Sequence, residues 1–178
     1  MTVAPRPKPA APCPQVVVVG CPSVDLLELA GQRHTVVGGA GLLTALAALR
    51  VGAHVGLVAR VPAELPPQLA AAFGPGRLDP GGLVVQAGPL PAFHIRYDGT
   101  EQATYLVADG GMEAEITADD VPAAWLGADV VHVASLGGRA ERQLAVARGL
   151  RRRGFAGRLS AGTYIRSARE ETATVRAL

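Results

Sequence analysis

Apolar residues fall along the chain in short blocks punctuated by glycine and proline, and the blocks alternate in kind. Gln15–Gly20 (QVVVVG) is a β-branched run closed by glycine, the pattern of a strand buried on both faces. Gly41–Arg50 puts Leu42, Leu46 and Leu49 on one helical stripe and stops at Gly52. His54–Val61 (HVGLVARV) predicts a second strand, PPQLAAAFG a short helix that starts on proline and ends on glycine, and GLVVQAG a third strand. The pattern then changes. Phe93, Ile95 and Tyr97, followed by Tyr105 and Val107, alternate with polar residues around an Asp98-Gly99 turn. That predicts an antiparallel hairpin over about residues 92–108, with one solvated face, projecting from the main sheet.

After the hairpin the first kind of pattern returns. Thr117 is an N-cap candidate with Asp119 and Asp120 in the first turn of a helix through ITADDVPAAWL. ADVVHVAS reads as a strand, Gly138–Arg153 as a helix and GRLSAG as a strand. IRSAREETATVRAL continues a helical pattern to the end without a stop signal, as expected of a domain that runs on. Alternating strands and helices predict an α/β fold: a mainly parallel sheet flanked by helices, with right-handed crossovers.

Composition agrees with a packed core. Of 178 residues, 49% are hydrophobic, 18% charged and only 4% aromatic, so the core must be built from Ala, Val and Leu. Seventeen basic against fifteen acidic residues, a net charge of +2, argue against a nucleic-acid partner. Arg151, Arg152 and Arg153 stand where a helix ends and read as its solvated terminus. Cys13 and Cys21 lack the spacing of a zinc site or a disulfide framework, which predicts two reduced thiols and a cytoplasmic protein. No apolar run reaches the roughly 20 residues of a bilayer span. Residues 1–14, rich in proline and alanine, lack the features of a signal peptide and are expected to be a disordered lead-in to an α/β domain over 15–178.

Ligands of open α/β sheets sit beyond the carboxyl ends of the strands, where Asp25 and the Gly38-Gly39 helix entry should gather. A carboxylate there can accept hydrogen bonds from ligand hydroxyls, and glycines admit a close approach. A plain turn or capping role for Asp25 fits the spacing equally well. Gly39 and Gly41 also begin a partial dinucleotide fingerprint, but Thr44 stands at its third glycine. The next strand reaches Arg60 rather than an acidic residue, which would suit only NADP, and no P-loop pattern occurs. His132 reads as a strand histidine and His94 as a hairpin residue facing substrate or water. Ser135 lies near the strand edge, and Trp125 is expected to anchor helix packing.

VVVVGCPSVD, then GGAGLLTALAALRVGAHVGLVARV, then a hairpin, then ADVVHVAS resembles the amino-terminal half of ribokinase-like (PfkB) sugar and nucleoside kinases. The resemblance implies an ATP- and magnesium-dependent kinase family acting on a substrate hydroxyl. It makes Asp25 a hydroxyl ligand, with Gly38, Gly39, Gly41 and His94 beside it and the hairpin as a lid that can also pair two copies into a dimer. Leu43 replaces the family's substrate-binding Asn, and the G-x-D expected after the second strand is missing. The short Asp25–Gly38 stretch implies a reduced first lid segment. No D-T-x-G-A-G-D signature occurs in these residues, so the chain alone is expected to lack phosphoryl transfer. The alternatives are a non-catalytic binding or dimerisation module of the same fold and an NADP-binding oxidoreductase fragment.

Overall fold

The computed structural model describes residues 13–99 and 103–178. The proline-rich lead-in therefore lies outside the described residues, apart from its last two. In chain order the elements are β1 (Val16–Val19), β2 (Ser23–Leu29), β3 (Gln32–Gly38), α1 (Ala40–Arg50), β4 (Val55–Val61), α2 (Pro67–Ala70), β5 (Leu83–Val85), β6 (Ala92–Tyr97) and β7 (Ala103–Asp109). They continue with β8 (Val130–Val133), α3 (Ala140–Arg152), β9 (Arg158–Ala161), α4 (Ile165–Glu170) and α5 (Thr172–Arg176).

Five strands form a parallel sheet in the order β5-β4-β1-β8-β9. Its centre is the valine run: Val17, Val18 and Val19 are fully buried, as are Val55, Leu57 and Val58 beside them. Strands covered on both faces need apolar side chains at every position, which is why they read as continuous runs. Trp125 fills the space that glycines leave. A Cβ on Gly56 or Gly82 would sit 2.6 or 2.5 Å from its ring. The single tryptophan thus packs on β4 and the Pro80–Gly82 turn rather than between helices.

The other four strands form a second sheet, β3-β2-β6-β7, and this corrects the expectation of a lone hairpin with a reduced first lid segment. The stretch from Ser23 to Gly38 is two seven-residue antiparallel strands, joined where Ala30 (φ 48°) and Gly31 (φ 80°) both turn left-handed. β2 pairs in parallel with β6, fusing the two hairpins into one lid. Only Gly20, Cys21 and Pro22 separate β1 from β2, and Gly39 alone separates β3 from α1. The lid therefore rises directly from the carboxyl edge of the main sheet.

Two predicted helices are shorter than expected. The segment capped by Thr117 is a series of single 3₁₀ turns, because Pro122 cannot donate the next helical hydrogen bond. Thr117 caps as expected, in a reciprocal box with Asp120. The last helical pattern breaks at Glu171 (φ −119°, ψ 36°) into α4 and α5.

Candidate functional site

From β1 the chain passes through α1 to β4 and β5 on one side, whereas β8 and β9 lie on the other. The strand order thus reverses between β1 and β8, and ligands of open α/β sheets sit beyond the carboxyl ends of the strands at such a reversal. Glu113 bridges the two loops that leave these strands. Its Oε1 accepts from the Cys21 N–H (3.0 Å) after β1, and its Oε2 from the Gly137 N–H (2.7 Å) after β8. The side chain is buried, and burial pushes its pKa up despite these two bonds. Nothing in the sequence singles out this residue, because GGMEAE reads as a polar turn and both partners are distant in the chain.

Asp25 lies on β2, not in a turn, and its carboxylate is buried at the lid root. Ser23 Oγ donates to Oδ2 (2.9 Å) and the Phe93 N–H to Oδ1 (3.2 Å). Burial raises its pKa, and the two hydrogen bonds oppose that rise. Each carboxylate oxygen has a second lone pair, so the group can still accept from ligand hydroxyls. Gly38 stands opposite, where a Cβ would come within 2.7 Å of Oδ2.

The other two glycines serve packing. A Cβ at Gly39 (φ 96°) would lie 2.6 Å from the Cys21 carbonyl, and one at Gly41 would run into the Gly20 carbonyl. Neither position can carry a side chain, because the chain's own backbone occupies that space. One turn further along α1, Leu43 is 57% exposed.

Pairing register sorts the lid residues into two faces. Phe93, Ile95 and Tyr97 share the face of Asp25, and Tyr105 across from Ile95 joins them. The rings of Phe93 and Tyr105 meet edge to face, with centroids 6.1 Å apart. His94 lies in register with Leu26 on the opposite face, where its Nε2 is 2.9 Å from Glu28 Oε1. The fold thus brings Asp25, Gly38 and the start of α1 together and turns His94 away from them. From the main sheet, Ser135 follows β8 with its side chain buried. Tyr164, which follows β9, lies 3.5 Å from where a Gly138 Cβ would be, and burial pushes its phenol pKa up. His132 instead bonds Ser160 of β9 through Nδ1 (3.0 Å).

No family model matches the chain, and no curated protein sequence matches it. Solved structures do. A ribokinase from Giardia lamblia superposes with a TM-score of 0.70 at 14% identity, over 90% of this chain and 54% of that one. A PfkB protein from a Polaromonas species gives 0.71 at 19% identity, over 93% and 61%. A ribokinase from Arabidopsis thaliana, solved with ribose and ATP, gives 0.60 at 19%, over 85% and 55%. The fold is that of ribokinase-like sugar kinases, amino-terminal portion. The chain spans about half the length of these ribokinase-like structures.

Glycine pairs precede two helices, Gly38-Gly39 before α1 and Gly137-Gly138 before α3, and among the described residues no three His, Cys, Asp or Glu side chains gather to hold an ion. Arg60, the residue a 2′-phosphate of NADP would need, is occupied. Its Nε and Nη2 donate to the two oxygens of Asp120 at 3.1 Å each, and its Nη1 donates to Gln86 (2.7 Å). Among the described residues no helix is long and apolar enough to cross a membrane.

Proposed function

We propose that residues 15–178 form the substrate-binding portion of a ribokinase-fold kinase acting on a small polyhydroxylated molecule. The supporting observation is Asp25: a buried carboxylate at the strand-order reversal, under the lid, with hydrogen-bond capacity to spare. Asp25 accepts hydrogen bonds from one or two ligand hydroxyls, Gly38 leaves them room, and the lid excludes water from above. Phosphoryl transfer rests on positioning and charge stabilisation at the transferring group. The described residues supply neither, so the portion described binds substrate without turning it over.

The same fold could serve as a non-catalytic binding module, a reading favoured by the exposed apolar Leu43 near the start of α1. One comparison serves both. Calorimetric titration with a panel of pentoses, hexoses and nucleosides is expected to find a ligand for the wild type. Asp25→Asn should weaken it at least tenfold, and purified chain with ATP should release no ADP. Equal binding by Asp25→Asn would remove Asp25 from the site, and ligand-dependent ADP release would overturn the claim that this portion only binds.

A further inference from the structure

The three arginines that read from the sequence as one solvated helix end do three different things. Arg151 closes the end of α3, its Nη1 donating to the Phe155 and Gly157 carbonyls at 2.8 Å each. Arg153, the capping residue, reaches back and donates through Nη1 to the Ala118 carbonyl. Arg152 folds over Gly149, its Nη2 3.8 Å from where a Cβ there would be, and among the described residues it has no hydrogen bond or ion pair. The Ala118 Cβ lies 2.5 Å from that same position, so the guanidiniums of Arg152 and Arg153 flank one spot on the helix.

A groove of about 450 Å³ runs from there between α3 and residues Ile116–Asp119, a volume in the range of small-molecule sites. One helical stripe lines it: Arg142, Ala145, Val146, Gly149, Arg152 and Arg153. Arg142 stands at the far end, about 15 Å from Arg152 along the axis at 1.5 Å per residue. It too has no hydrogen bond or ion pair among the described residues. On the opposite wall the Thr117 hydroxyl accepts from the Asp119 N–H (3.3 Å) and keeps its own proton to donate. The one carboxylate in the lining, Asp119, is 3.6 Å from Arg153 and 89% exposed, too solvated to neutralise three guanidiniums. Ten of the chain's seventeen basic residues lie from Arg139 onward, with three of its fifteen acidic ones. The local field is therefore positive although the whole chain carries only +2, and it outweighs the partial negative charge of the helix end.

We propose that this groove binds a small organic bisphosphate. One phosphate sits between Arg152 and Arg153 beside the Thr117 hydroxyl, the other on Arg142, and the carbon body lies over Ala145. The planar arginine fork takes phosphate oxygens in pairs, and two forks at one spot suit a phosphate better than a carboxylate with its two oxygens. A nucleic-acid strand or an acidic peptide would need cationic points along the whole groove, whereas its middle is apolar. None of these residues belongs to the site proposed around Asp25, so the two readings stand or fall separately.

The test is calorimetric titration of the 178-residue protein at low ionic strength, where charge pairing is least screened. The probes are the bisphosphate of hexanediol, hexyl phosphate, inorganic phosphate, hexaglutamate and a short DNA duplex. The bisphosphate is expected to bind ten or more times tighter than hexyl phosphate. Arg152→Gln should weaken both several-fold. Arg142→Gln should bring the bisphosphate down to the hexyl phosphate level and leave hexyl phosphate unchanged. Arg148→Gln, on the same helix but outside the groove, and Asp25→Asn should alter neither. Circular dichroism checks that each variant is folded. Equal binding of the two hexyl compounds, or an equal loss in Arg148→Gln and Arg152→Gln, would overturn the proposal in favour of diffuse charge. Tighter binding of hexaglutamate or DNA than of the bisphosphate would overturn it in favour of a macromolecular partner, and failure of the bisphosphate to bind would overturn it outright.

Discussion

At Gly41 the absence of a side chain is a packing requirement. The first turn of α1 lies on the backbone that leaves β1, and a Cβ would penetrate the Gly20 carbonyl. Gly41→Ala favours helix by propensity, yet it should lower stability by about 1–3 kcal/mol in thermal unfolding, because overpacking against backbone has no flexible side chain to yield. Asp25 shows the opposite tension. Burial raises its pKa, so the folded state holds its proton more tightly than the unfolded chain does. Ionisation therefore costs stability, and the cost grows as pH rises from the unfolded value of about 4 to the folded one. Asp25→Asn is expected to melt higher than wild type at pH 7, with the gap closing below pH of about 4, even as ligand binding is lost. Cys21 is buried, its thiol pushed up to about 12 chiefly by desolvation, whereas Cys13 is exposed. A thiol reagent at pH 8 should thus titrate one cysteine in the native protein and two after denaturation.

The lid is the element whose two faces do different work. On the face away from Asp25, Glu28 gathers Arg33 (3.0 Å), Arg96 (2.6 Å) and His94 (2.9 Å), tying β3 and β6 to β2 between them. Arg96 leads in holding the Glu28 carboxyl down to about 2. A depressed carboxylate contributes stability that is complete above its unfolded value of about 4.3 and fades as pH falls toward 2. Both arginines are more than half exposed, so the contribution is modest and screened by salt. Amide exchange of β2 and β6 in wild type should accelerate between pH 5 and 2 beyond its intrinsic pH dependence. Glu28→Gln should remove that excess, and an unchanged excess would separate lid cohesion from this carboxylate. The second hairpin was legible in the sequence because Asp98-Gly99 punctuates a clean alternation. The first was not: Leu26 and Leu27 are consecutive, and Ala30-Gly31 is a weak turn signal for two left-handed residues.

For the whole molecule the decisive contact is Glu113, which joins the loop after β1 to the loop after β8. Glu113→Gln replaces one acceptor oxygen by an amide that must face the Cys21 or Gly137 N–H. It should cost about 1–3 kcal/mol in denaturant unfolding, the penalty of a buried donor left unpaired. A site assembled across that bridge should also bind ligand more weakly in this variant. What the linear chain determined by itself is local: valine runs that must be buried, glycines where strand meets helix, a helix cap at Thr117, and a carboxylate placed shortly after the first strand. Each follows from side-chain shape and polarity within a few residues. The tertiary structure decided that Asp25 is buried on β2 while Glu28 is shared among cations, that His94 turns away from Asp25, and that Glu113 joins the loops after β1 and β8. Those outcomes depend on strand register and on contacts between residues as far as 115 positions apart (Gln15 and Val130), where no short-range pattern can carry the information.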